Sequence, residues 1–144
     1  MRTTSQADLA VRLRLVIART ARRLRQEAGE EVSPSQAAAL ATIDRHGPLT
    51  PSELAVRERI QRPTATRVIA RLEETGFVTR TQDPADRRSF VVGLTPAGRE
   101  LLARVRNRKD AYLARRLRDL DADERATLDR AAAILERVLE EGRA

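Results

Sequence analysis

Apolar residues recur along this chain with a period that changes several times, and each change marks an element. Leu9, Leu13, Val16, Ile17 and Leu24 fall at helical spacing with arginines between them, predicting an amphipathic first helix that ends near Gly29. SPSQAAALATIDRHG follows. Ser33 is the expected N-cap, Pro34 suits the first helical position, Gln36 completes a capping box and Gly47 supplies the stop. TPSELAVRERI repeats the device with Thr50, Pro51 and Glu53, predicting a short helix over about 51–58. After the break at RIQRP another helix is expected from Pro63 to Gly76, with Ala65, Val68, Ile69 and Leu72 on one side. Thr64, Arg67 and Arg71 share a narrow arc on the other side.

Beyond Gly76 the period shortens. FVTRTQ and SFVVGLT are rich in β-branched and aromatic residues and read as two strands around the loop DPADRRS. TPAGRELL then opens a long helix, with Thr95 as N-cap, Pro96 first, and a stripe of Leu101, Leu102, Val105, Leu113 and Leu117. Asp121 caps a last helix, Glu124 completes its box, and Leu128, Ala131, Ala132, Leu135, Val138 and Leu139 form its seam. Two short capped helices joined by a tight turn and followed by a hairpin describe a winged helix-turn-helix. The expected fold is therefore mainly α with a small β-hairpin wing (α+β), flanked by N- and C-terminal helices. Those flanking helices carry more apolar surface than a small core can bury, which favours a dimer built from them.

Composition narrows the reading. The chain has 144 residues, expected to form one domain, and 41% of them are hydrophobic, enough for a core. Its only aromatics are Phe77, Phe90 and Tyr112, so that core is aliphatic. There is no cysteine, which excludes disulfides, thiol metal sites and thiol redox sensing by this chain. No apolar run approaches bilayer length, and the first residues lack an apolar signal core, so no membrane partner and a cytoplasmic location are the default expectation.

The net charge of +7 points toward a polyanionic partner, although an arginine excess also follows from a GC-rich genome. Placement is more informative. Residues 1–26 hold seven arginines and one acid, residues 99–118 eight basic residues and two acids, and residues 119–144 four basic residues and eight acids.

LTPSELA, the RPTATR helix start, the RLEETGFV exit, the DPADRRS wing and the LTPAGRELL entry stand in order over residues 49–102. In this combination and spacing the chain resembles the MarR family of bacterial transcriptional regulators. The resemblance implies an obligate homodimer that binds double-stranded DNA at a pseudopalindromic operator. Its DNA-binding part would span residues 33–95 and its dimerisation helices residues 5–29 and 96–142. It also implies, for many members, release of DNA when a small, often anionic aromatic effector enters a crevice between the two parts. Repressor is the commoner assignment, activators sharing the same fold. Two departures stand out. The lack of cysteine rules out the oxidant-sensing kind, and Arg57, Arg59 and Arg62 crowd a turn that is usually more apolar and contains glycine or leucine.

For the DNA-binding residues, Arg62, Thr64 and Arg67 are expected to face base edges, since arginine chelates guanine and the threonine methyl touches thymine. Thr66 and Arg71 lie at the margin of that arc and suit phosphates. Ser52 and Gln61, near helix starts, suit phosphates as well. In the wing, Arg87 and Arg88 can lie in a narrow A·T-rich minor groove. By resemblance Arg88 is the inserted residue and Asp86 orients its guanidinium through paired hydrogen bonds. Asp83 can instead shape the turn. Arg80 is open between a phosphate contact and a solvated side chain, and Tyr112 between an effector-pocket role and simple packing. His46, beside Gly47, reads first as a helix C-terminal cap. No metal-ligand spacing, cofactor motif or nucleophilic triad can be assembled, so an enzyme is not expected. Two other readings stand beside the specific regulator: a nonspecific architectural DNA binder, and a winged helix used only for protein contacts.

Overall fold

The caps determine where the helices start. In the computed structural model, which describes residues 3–141, the order is α1 (Gln6–Glu27), α2 (Pro34–His46), α3 (Pro51–Glu58), α4 (Arg62–Glu74), β1 (Val78–Gln82), β2 (Phe90–Leu94), α5 (Pro96–Arg118) and α6 (Ala122–Glu141). Residues 1, 2 and 142–144, which the expected domain bounds include, lie outside the described residues. Ser33 and Gln36 form the complete capping box on α2. Thr50 accepts from the Glu53 backbone N–H at 3.1 Å, the Thr50 half of a box. The Asp121 carboxylate accepts from the Glu124 backbone N–H at 2.8 Å. Thr95 accepts from the Gly98 N–H and donates to the Gly76 carbonyl, so one hydroxyl ties the end of α4 to the start of α5. Gly47 and Gly76 adopt φ of 78° and 80°, which lets the chain turn sharply out of α2 and α4.

The two strands pair antiparallel, with Val78 opposite Leu94 and Gln82 opposite Phe90. Leu49, in the segment before α3, adds a bridge to the free side of β2. Its N–H donates to the Val92 carbonyl at 3.1 Å and its carbonyl accepts from the Val92 N–H at 2.7 Å. Leu40, Ile43, Leu54, Ile69, Leu72, Val92 and Leu101 are the largest fully buried side chains. They come from α2, α3, α4, β2 and the start of α5, so the core of the winged helix is aliphatic throughout.

The chain forms two compact units, Met1–Lys109 and Asp110–Ala144, and the boundary falls inside α5. Burial along that helix gives the reason. Leu101, Leu102 and Val105 are buried, Leu113 is half-buried and Leu117 is exposed. In the first unit, α1 buries none of its residues completely. In the second, Leu128, Ile134, Val138 and Leu139 of α6 are exposed. Among the described residues, no helix is long and apolar enough to cross a membrane.

Candidate nucleic-acid interface

The α3–α4 pair is a helix-turn-helix whose turn is closed by an unusual residue. Arg59 takes φ 54° and ψ 44°, and its N–H donates back to Val56. α4 begins at Arg62, one residue earlier than Pro63, because Gln61 already has the extended N-cap conformation. Gln61 makes no side-chain cap bond, and the first turn of α4 holds no acid. The positive end of this helix is therefore left without the side-chain cap that Ser33 and Thr50 give α2 and α3, which suits an incoming phosphate.

The proposed base-reading residues occupy different environments. Arg62 and Arg67 are exposed, and Arg67 donates to the Thr64 hydroxyl at 3.4 Å. Thr64 is half-buried and lines a groove with Ser35, Ala38, Ile60 and Val68, so it stands on the edge of the arc rather than at its centre. Thr66 is exposed, but its hydroxyl donates to the Arg62 carbonyl at 3.0 Å and is already satisfied within the helix. Arg71 and Ser52 are exposed.

The wing loop is built by its acids. Asp83 donates its N–H to the Ser89 carbonyl at 3.1 Å, which closes the loop, and its carboxylate accepts from the Ala85 N–H at 3.0 Å. Asp86 accepts from the Arg88 backbone N–H at 3.0 Å. This differs from the expected guanidinium fork. A short carboxylate two residues back reaches the backbone N–H of residue i+2 in a local turn, and that bond holds the main chain at Arg88. Gln82 donates to the Arg87 carbonyl at 3.0 Å. The side chains of Arg87 and Arg88 are exposed, and no ion pair involves either among the described residues.

Arg80 makes contacts within the fold that neither expectation included. Its Nε donates to the Glu73 carboxylate at 2.7 Å, and its guanidinium stands 4.1 Å from the centre of the Phe90 ring. Arg80 shares a strand face with Val78 and lies opposite Val92, both buried. His46 ends α2 as expected and stands 3.3 Å from an Arg57 guanidinium nitrogen, a cross-helix contact that sequence reading did not include.

Sequence reasoning gave a pocket role to none of the residues that line a groove of about 480 Å³ between α1, α2 and α5, within the first unit. Its walls combine Leu24, Ala37, Leu102 and Val105 with the cations Arg25, Arg106 and Lys109. A narrower recess continues past Glu31. In the second unit the Tyr112 ring is engaged along its own helix, with the Arg116 guanidinium 5.3 Å from the ring centre.

A helix-turn-helix completed by an arginine-tipped hairpin defines a winged-helix DNA-binding protein. The MarR family model matches residues 32–90. An uncharacterised HTH-type transcriptional regulator of Mycobacterium leprae is 40% identical over 138 residues, 95% of this chain and 96% of that protein. The crystal structure of a transcriptional regulator from Pseudomonas aeruginosa superposes with TM-score 0.84 at 35% identity, covering 96% of this chain and 99% of that one. The transcriptional repressor MdtR of Bacillus subtilis is 33% identical over 93 residues, 65% of this chain and 60% of that protein. The chain belongs to the MarR family of transcriptional regulators, with a DNA-binding winged helix.

Proposed function

We propose that the protein acts as a homodimeric, operator-specific regulator of the repressor type. In this reading α4 enters the major groove, Arg62 and Arg67 reach base edges, and Arg71, Gln61 and Ser52 hold the flanking phosphates. Arg88 enters the adjacent minor groove, with Arg87 beside it. One observation carries the reading: the arginines of α4 and of the wing loop are exposed and make no ion pair among the described residues. These arginines, Arg62, Arg67, Arg71, Arg87 and Arg88, cluster on the two elements that a winged helix turns toward DNA. The similarity to the repressor MdtR supports that sign of regulation.

Dimerisation falls to the flanking helices, residues 5–29 and 96–142. The apolar stripes left exposed on α1 and α6 suit burial against a second copy. The groove between α1, α2 and α5 suits a small organic anion as effector: its walls are apolar, and its charges at Arg25, Arg106 and Lys109 are positive. Half-sites about one helical turn apart, roughly 10 bp, are expected for such a dimer.

The test is competition at near-physiological salt between random duplex and a duplex enriched by the protein from a randomised pool. Preference for the enriched duplex by about 1,000-fold or more supports the specific regulator. Equal competition would leave a nonspecific DNA binder, and no binding of either would leave a protein-contact module.

A further inference from the structure

We infer that Arg80 is a positioning residue that sets how the wing stands on the recognition helix, and so decides whether Arg88 contributes to specific binding. The inference rests on the reading above that Arg88 enters a minor groove. Its physical basis is the division of the hairpin into two zones. At its base, Val78 and Val92 are buried and join the common core. Toward its tip that core runs out, and Phe90 is only half-buried. There Arg80 takes over. Its Nε is bonded to Glu73 in the last turn of α4, while the flat of the guanidinium covers Phe90, the residue of β2 next to the wing loop. One side chain therefore joins the recognition helix to both strands. The next residue on that face, Gln82, passes the connection to the Arg87 carbonyl at the tip.

Energetics separate positioning from stability. The Arg80 and Glu73 side chains are 44% and 37% exposed. Ion pairs so open to water add little to folding. Their value is geometric: a planar cation that bonds along its edge and stacks on its face has its orientation fixed twice. A lysine keeps the charge but cannot supply both contacts.

The experiment uses the full chain, a duplex enriched by the wild-type protein from a randomised pool, and a random duplex. Arg80→Ala and Glu73→Ala should each weaken the enriched duplex by about tenfold while changing the random duplex less than about twofold. Arg80→Lys should recover only part of the loss. Melting temperatures should stay close to wild type. The deciding readout is coupling. In the Arg80→Ala background, adding Arg88→Ala should cost about tenfold less than it does alone, whereas Arg67→Ala should cost the same in both backgrounds. Additive losses for Arg80 and Arg88 would overturn the inference. So would an equal loss on both duplexes, which makes Arg80 a phosphate contact. If Arg88→Ala alone has no effect on the enriched duplex, the wing reading itself fails and the inference goes with it. Should Arg80→Ala not fold, Glu73→Ala carries the same cycle with Arg88.

Discussion

Arg59 holds a backbone conformation that side chains with a Cβ avoid, at about 1–2 kcal/mol relative to the right-handed region. Glycine there removes that penalty but adds roughly 0.5–1 kcal/mol of unfolded-state entropy. Arg59→Gly is therefore expected to stabilise the fold slightly, by up to about 1 kcal/mol in thermal or denaturant melts. If the side chain also meets a phosphate, the same variant should bind all duplexes more weakly and lower the salt dependence of binding by about one counterion. Gly98 is the opposite case. A Cβ there would lie 2.1 Å from the Phe77 carbonyl oxygen, a backbone atom with no freedom to retreat. Gly98→Ala should destabilise by about 1–3 kcal/mol or more, read as a lowered melting temperature, and a neutral result would mean that α5 can slide. Arg67 is exposed at the reading face of α4, so Arg67→Ala should cost roughly 1–3 kcal/mol on an enriched duplex and little on a random one. An equal loss on both would assign Arg67 to phosphate.

At the scale of elements, α1 is tied to α5 by a polar latch. Arg108 donates to the Ala28 carbonyl at 2.9 Å, satisfying an acceptor just past the end of α1. Glu31 pairs with Arg104 at 3.2 Å and with Arg108 at 3.4 Å. The hydrogen bond from Arg104 is the main reason that the Glu31 carboxyl sits below the ordinary glutamate range. Slight desolvation opposes the shift, and the charge of Arg104 and the hydrogen bond and charge of Arg108 reinforce it. Because the folded value lies below the unfolded one, the latch contributes fully at neutral pH. Its contribution begins to fade as the pH drops below the ordinary glutamate range, and it is lost once the pH has fallen through the folded value. Glu31→Gln should therefore melt below wild type at neutral pH, with the gap closing in acid. A gap that does not change with pH would remove the ion pairs from the account.

The same scale shows why some features were legible in the sequence. Ser33, Thr50 and Asp121 cap within three residues of themselves, so local spacing was enough to place them. The hairpin and its loop declared themselves by a change of period. The start of α4 was displaced by one residue because Gln61 takes the N-cap conformation without the side-chain bond that would have marked it. Asp86 was assigned a guanidinium when the nearer backbone N–H took its carboxylate. Arg80 with Glu73 depends on the turn at Gly76, and Arg108 with Ala28 joins residues 80 positions apart. Such pairings follow from tertiary geometry, which a helical wheel or a strand alternation does not contain.

For the whole molecule, the uneven charge becomes a statement about assembly. The exposed apolar stripe of α1 lies among arginines, and the exposed stripe of α6 lies among acids. In a dimer built from these helices, a basic surface of one copy has an acidic surface of the other available to it. Val16→Asp, on the exposed stripe of α1, should shift the protein toward monomer in analytical ultracentrifugation and weaken operator binding, while the isolated chain keeps its helical circular dichroism. Raising the salt should weaken the wild-type association modestly, since surface charges are screened and the apolar contact is not. An unchanged sedimentation coefficient for Val16→Asp would place the interface elsewhere.

The bridge from Leu49 to Val92 bears on that assembly from an unexpected side. A two-stranded hairpin has two open edges, and each is a template on which another chain can grow a sheet. Leu49 occupies the edge of β2 with both of its backbone groups. The remaining edge belongs to β1, which is five residues long and carries Thr79, Arg80, Thr81 and Gln82 beyond its single buried valine. Short, polar and charged, it is a poor seed for fibrils or strand exchange. The wing can project as an isolated ribbon without becoming adhesive.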